Sequence, residues 1–171
     1  MSRRKQMRLK DYDYSKEGAY FVTVCVNDRK CVLGEIVNGC MQLSLIGEIV
    51  NEYWNLIPSI YPNVYLDYYV IMPNHLHGII IIDDMYVGAV INRPNDGAID
   101  NRPYGKLSQI IKSYKQMATK QIHKQNPYFQ WQRSFYDRII RNDMDLNRIR
   151  HYIVNNSNQW QVDENHPQNS F

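Results

Sequence analysis

Two histidines separated by one residue, His75 and His77, are the part of this sequence best suited to chemistry. They open the apolar run Leu76-His77-Gly78-Ile79-Ile80-Ile81-Ile82, directly after the turn-forming Met72-Pro73-Asn74. Side chains alternate along an extended strand, so His75, His77, Ile79 and Ile81 share one face and Leu76, Gly78, Ile80 and Ile82 the other. A strand apolar on both faces is expected at the centre of a sheet, covered above and below. Two neutral imidazoles side by side at its start, near the rim of the sheet, can converge on one divalent cation. The same spacing also describes two separately hydrogen-bonded histidines, and two imidazoles leave a metal shell incomplete. The chain has no H-E-x-x-H motif and no cysteine set that would finish a zinc site.

A candidate third ligand lies near the C-terminus. Leu146, Ile149 and Ile153 mark the apolar stripe of a helix, and Tyr152 and Asn156, four apart, share one face just beside it. An amide oxygen is a hard ligand, better suited to Mg²⁺ or Mn²⁺ than to zinc. A phenol can act as a covalent nucleophile when a metal polarises the group it attacks. Spacing alone does not bring this helix to the histidine strand, and a tyrosine at the edge of a core has the same signature.

The elements that must position these groups follow from periodicity. Residues 19–26 read as a buried strand, rich in β-branched and aromatic side chains. Leu33 to Val37 and Met41 to Ser44 flank Asn38-Gly39, a strong hairpin signal. Helical spacing runs from about Ile46 to Ile57, with Pro58 and Pro62 expected to end that helix. Strands are expected at Val64 to Met72 and Leu76 to Ile82, paired antiparallel. Asp83 to Tyr104 carries Asn-Arg-Pro twice and Asn-Asp-Gly, which predicts a long exposed loop. A helix follows from about Lys106 to Lys124, then a mixed turn and strand from Phe129 to Ile140. The last helix starts at the capping residues Asn142 or Asp143 and runs to about Asn156. This order predicts an α+β fold: a ferredoxin-like antiparallel sheet with helices packed on it and a C-terminal helix that carries Tyr152.

The chain has 171 residues, which suits a single domain spanning 1–171 and a core that needs no disulfides. Three cysteines without a C-x-x-C pair point to a reducing, cytoplasmic setting. No apolar run approaches the ~18 residues of a membrane span, and the basic start has no apolar segment behind it to make a secretory signal. A net charge of +3 does not by itself identify a nucleic-acid partner. Its distribution says more: Arg3, Arg4, Lys5, Arg8 and Lys10 lead the chain, and Lys106, Lys112, Lys115, Lys120 and Lys124 recur along one helix. Such segregation permits a basic groove for phosphates, although a solvated helix face looks the same. The 14 tyrosines against 4 phenylalanines supply stacking faces with polar tips, useful on unpaired bases and equally ordinary in strands.

Pro73-Asn74-His75-Leu76-His77-Gly78 resembles the His-hydrophobe-His motif of HUH single-tyrosine nucleases. Nearly the whole chain resembles the REP-associated tyrosine transposases, relatives of single-tyrosine insertion-sequence transposases. The likeness runs through Tyr12-Asp13-Tyr14, Gly18-Ala19-Tyr20-Phe21-Val22-Thr23, Leu33-Gly34-Glu35-Ile36-Val37 and Tyr61-Pro62-Asn63-Val64. It continues through the histidine segment, Trp131-Gln132-Arg133-Ser134-Phe135-Tyr136-Asp137-Arg138-Ile139-Ile140-Arg141, and Leu146 to Asn156. The resemblance implies that His75 and His77 bind Mg²⁺ or Mn²⁺, that Asn156 is the polar third ligand and that Tyr152 is the nucleophile. It implies cleavage and rejoining of single-stranded hairpin DNA through a 5′-phosphotyrosine, by a monomer or a homodimer. Arg3, Arg4, Lys5, Lys112, Lys115, Trp131, Arg133, Arg138 and Arg141 are the candidates for DNA contact. Ser157 stands where the family usually has a proline, which is expected to lengthen the last helix. Two other readings stay open: a nucleic-acid binder that has lost cleavage, and a small metal-dependent hydrolase that needs no tyrosine.

Overall fold

The computed structural model describes residues 18–83 and 105–169. Arg3, Arg4 and Lys5 lie outside them, as does the 84–104 part of the expected loop. The first strand, β1 (Gly18–Cys25), turns Tyr20, Val22 and Val24 to one face, all fully buried, and Phe21, Thr23 and Cys25 to the other. A separate two-stranded hairpin follows, β2 (Gly34–Val37) and β3 (Cys40–Leu43). Its turn is Asn38-Gly39, both with positive φ (51° and 76°), the conformation that matches the twist of the flanking strands.

Helix α1 (Leu45–Asn55) starts on Ser44, whose hydroxyl accepts from the Gly47 amide at 3.1 Å. Pro58 does not end this helix as expected. Leu56 caps α1 and opens a four-residue helix, α2 (Ile57–Ile60), with Pro58 in its first turn. A proline costs nothing there, since its missing N–H has no intrahelical partner to lose. Strands β4 (Val64–Met72) and β5 (His75–Ile82) form an antiparallel hairpin, with β5 beginning one residue earlier than the pattern suggests. Helix α3 (Gly105–Ile122), strand β6 (Tyr136–Ile140) and helix α4 (Asp143–Asn155) complete the order. Asn142 caps α4 by accepting from the Asp145 amide at 2.9 Å. Where Ser157 replaces the proline, α4 itself stops, with Asn156 as its cap. The chain then keeps its helical sense as a tighter 3₁₀ segment, Ser157–Val162.

The main sheet is antiparallel with order β4-β5-β1-β6, so β5 and β1 are central. Helices connect β1 to β4 and β5 to β6, the split arrangement of a ferredoxin-like fold. The larger core lies on one face, where Trp54 and Val50 of α1 and Ile110, Ile111 and Tyr114 of α3 meet Tyr20, Val22, Leu76 and Ile80. The opposite face carries a smaller cluster, Phe21, Ile79 and Ile140 beneath Ile149 and Ile153 of α4, with Leu146 at its edge. Among the described residues no helix is long and apolar enough to cross a membrane.

Gly78 is the point where the two central strands must leave room. A Cβ there would run into the indole of Trp54, which is fully buried and has nowhere to retreat. Gly78→Ala is therefore expected to overpack the core and cost about 1–3 kcal/mol. Urea unfolding checks this as a lower midpoint with an unchanged slope; a midpoint equal to that of the parent protein would show that the indole yields.

Candidate metal centre

The β1–β5 register sets Cys25 opposite His75 and Thr23 opposite His77. The imidazoles project toward the α4 side, ring centroids 4.4 Å apart, with Nε2 atoms 3.0 Å from each other. They do not lie at an open rim: His75 is 0% and His77 2% exposed. Trp160, on the 3₁₀ segment after α4, lies over His75 at 6.1 Å between ring centroids.

The hydrogen bonds around the rings decide where their protons sit. Asn74 Nδ2 donates to the carbonyls of Arg29 (3.1 Å) and Asn165 (2.8 Å), so its Oδ1 is an acceptor. His75 Nδ1 lies 2.7 Å from that oxygen and must donate to it, which leaves the Nε2 lone pair facing His77. His77 Nδ1 lies 2.8 Å from the Thr23 hydroxyl, a group that can donate or accept. His77 can thus hold its proton on Nε2, shared with His75, or on Nδ1, shared with Thr23. Only the second form offers two converging lone pairs, the condition for binding one cation.

Asp163 brings the third donor. Its carboxylate and the two imidazoles place their ligand atoms within 4.8 Å of one another, all buried. Asp163 accepts from the Asn165 amide at 2.6 Å and from Asn156 Nδ2 at 3.2 Å. Asn156 is 1% exposed, and its Oδ1 has no hydrogen-bond partner. A buried acceptor left without a donor costs about 1–3 kcal/mol, which a cation would relieve. The donor set, two imidazole nitrogens with a carboxylate and an amide oxygen, suits Mn²⁺ better than the all-oxygen preference of Mg²⁺. Residue pattern pointed to His75, His77 and Asn156 but not to Asp163. It stands in an aperiodic tail, Gln161-Val162-Asp163-Glu164-Asn165, where nothing distinguishes it from its acidic neighbour.

Tyr152 completes the group. Its hydroxyl lies 3.2 Å from His77 Nε2, and its ring meets Phe21 edge-on at 6.0 Å. The tyrosine reaches the histidines of its own chain. Burial raises its pKa to about 12, the Asp163 carboxylate adds to the rise and a hydrogen bond with Asn156 opposes it. Burial also lowers the His75 pKa to about 3, helped by the Arg29 guanidinium. His77 is driven well down as well, by burial and then by His75, against the pull of Asp163. Cys25, whose thiol is pushed up to about 11 by burial, stays protonated.

The site opens into a cavity of about 700 Å³ walled by Phe21, His77, Tyr152, Arg29, Arg138 and Arg148. Of the residues considered for DNA contact, Arg138 lines this cavity. Arg133 is exposed beside Asn27 and Arg29, and Arg141 is exposed just before α4. Lys112 is exposed on α3, the helix packed on the other face of the sheet. Lys115 is half-buried and donates to the carbonyls of Gln132 (2.8 Å) and Ser134 (3.0 Å), tying α3 to the segment before β6. Burial lowers its pKa to about 8. Trp131 packs against Phe129 and Tyr114 in the larger core, away from the histidines.

No family model matches the chain. It is 39% identical over 166 residues to an uncharacterized protein of Haemophilus influenzae, covering 94% of this chain and 92% of that one, and belongs to the same family. In three dimensions it is similar to a REP-associated tyrosine transposase solved in complex with a REP hairpin. The TM-score is 0.60 at 20% identity, over 89% of this chain and 73% of that one. The α+β architecture with a four-stranded antiparallel sheet is the fold the two share.

The buried imidazoles have a consequence for acid stability. Both have a lower pKa folded than unfolded, so below about pH 6.5 the unfolded chain binds more protons and stability falls. Their contribution is complete above that pH and is lost as pH drops toward about 3. EDTA-treated protein is expected to lose about 2–4 kcal/mol between pH 7 and pH 5 in urea unfolding. A His75→Gln/His77→Gln variant should lose clearly less over the same interval. Equal losses in the two proteins would show that the histidines do not control acid stability.

Proposed function

We propose that this protein is a single-tyrosine, metal-dependent DNA transposase or nuclease that cuts and rejoins single-stranded DNA at a hairpin. The observation that carries the reading is the Tyr152 hydroxyl 3.2 Å from His77, next to the unpartnered Asn156 oxygen and within one chain. The fold shared with the hairpin-bound transposase supports the choice of substrate. A divalent cation held by His75, His77 and Asp163, with Asn156 as the fourth donor, would supply Lewis-acid polarisation of the scissile phosphate and a countercharge for the phenolate.

The chain's own groups do the rest. Tyr152 Oη attacks phosphorus and the bond from phosphorus to the 3′ oxygen breaks. The 5′ phosphate of the downstream strand is then esterified to the tyrosine, the phenol having given up its proton, and the upstream strand leaves with its 3′ oxygen protonated. Attack by another 3′-hydroxyl reverses the step and joins a new pair of strands. The phosphodiester energy is kept in the protein link, so no nucleotide triphosphate is consumed; the chain has no G-x-x-x-x-G-K-[ST] loop. His77 Nε2 cannot offer its lone pair to a cation and accept the phenol proton at once. A bound cation would therefore displace the Tyr152–His77 hydrogen bond, and it needs the His77 tautomer with its proton on Nδ1 beside Thr23.

Two outcomes are expected. Protein incubated with Mn²⁺ and a pool of hairpin oligonucleotides with randomised stems and flanks should yield DNA that remains attached under denaturing conditions. Tyr152→Phe should abolish the attachment while leaving the thermal midpoint nearly unchanged. Cleavage by Tyr152→Phe without attached DNA would establish a hydrolase instead, and no attachment by the parent protein would mark a binder that does not cut. Separately, Thr23→Val removes the partner of His77 Nδ1 at almost constant volume. It should weaken Mn²⁺ binding by about 10–100-fold in titration calorimetry, with Thr23→Ser near the parent value. Unchanged affinity in Thr23→Val would show that the threonine does not set the tautomer.

A further inference from the structure

Tyr152 belongs to a row along α4 that begins before it. Arg148, Tyr152 and Asn156 are spaced by four, and Asp145 precedes Arg148 by three, so all four share one helix face. Arg148 stands about 6 Å along the helix axis from Tyr152, toward the α4 N-terminus. Asp145 Oδ1 accepts from Arg148 Nη2 at 2.7 Å and from Arg138 Nη2, on β6, at 2.8 Å. The Asp145 side chain is 13% exposed, against 44% for Arg138 and 65% for Arg148. Its carboxyl pKa is lowered, first by the Arg148 hydrogen bond. Both arginines line the cavity that holds Tyr152.

Stability does not account for this cluster. Exposed ion pairs contribute about 0–1 kcal/mol, and a second cation on the same oxygen adds repulsion between the arginines. The cluster carries one net positive charge and fixes two planar, many-donor groups side by side at the mouth of the site. Two oriented guanidiniums match the geometry of a phosphodiester, the one group repeated along a single strand.

We infer that Arg148 and Arg138, held together by Asp145, form a seat for a backbone phosphate of the single strand, next along the chain from the phosphate at Tyr152. This rests on the nucleic-acid reading above and extends it. Asp145 is a positioning residue: an acid on a DNA-binding surface whose removal weakens binding even though it makes the surface more positive.

The test uses fluorescence anisotropy with the oligonucleotide (dT)₁₂ between 50 and 200 mM KCl, at about neutral pH, and does not depend on cleavage. Loss of one phosphate contact reduces the slope of log K against log salt by about 0.7 on a single strand. Arg148→Ala and Arg138→Ala are each expected to show that reduction. Lys120→Ala, an equal charge loss on exposed α3, should keep the parent slope. Asp145→Asn should bind (dT)₁₂ several-fold more weakly than the parent. Parent slopes in both arginine variants, or tighter binding by Asp145→Asn in a protein with the parent thermal midpoint, would overturn the inference. Should Asp145→Asn fail to fold, the two arginine slopes decide alone. Changed slopes without any Tyr152-linked DNA would keep the seat and remove the cleavage reading; linked DNA with unchanged slopes would do the opposite.

Discussion

The pairing of β1 with β5 in one register is the constraint from which the site follows. Thr23 faces His77 and Phe21 faces Ile79 across that ladder. A slip by one residue would turn both imidazoles into the apolar core under α1 and α3, because strand side chains alternate. The slip is opposed from both sides of the sheet. Tyr20, Val22 and Val24 are fully buried on the α1 and α3 face, and Gly78 is the one position of β5 where the Trp54 indole can press against the strand. The histidines are thus positioned by hydrophobic pattern and by a missing Cβ, not by one another.

Once placed, they create a polar cluster that the fold alone does not satisfy. Two neutral imidazoles, a buried carboxylate and an amide with one empty acceptor share a small volume. Burial keeps the histidines uncharged, so Asp163 has no cation from them to balance it. The same carboxylate helps hold the Tyr152 phenol protonated. A single divalent ion would answer all of these at once: it matches the lone pairs, balances the carboxylate and favours the phenolate. The economy of that solution is the physical case for a metal at this position.

Much of the fold was legible because its signals are local. The β-branched and aromatic content of 19–26, the alternation in 75–82, the Asn38-Gly39 turn and the Asn142 cap are each written in a few adjacent residues, and their order suffices for a ferredoxin-like sheet. The Tyr152–Asn156 spacing was legible for the same reason. What could not be read was long-range. Asp163 reaches the histidines only because the chain after α4 folds back as a 3₁₀ turn, and no periodicity announces that. Trp131, a candidate for DNA contact in the sequence, is held by Phe129 and Tyr114 in the larger core. Lys115, conspicuous as a phosphate ligand, is engaged by two carbonyls. Residue type suggested their chemistry, and packing decided their place.

The ligand atoms that β5 and the segment after α4 bring together next to Tyr152 would hold one divalent cation. Electron paramagnetic resonance of Mn²⁺ added to the EDTA-treated protein tests this most directly, since bound and aqueous ions differ and imidazole nitrogens modulate the spin echo. One bound Mn²⁺ per chain is expected, with modulation from two nitrogens, reduced to one in His75→Ala, and weaker binding in Asp163→Asn. Mn²⁺ that remains aqueous, or that binds the His75→Ala/His77→Ala protein as tightly as the parent, would contradict it.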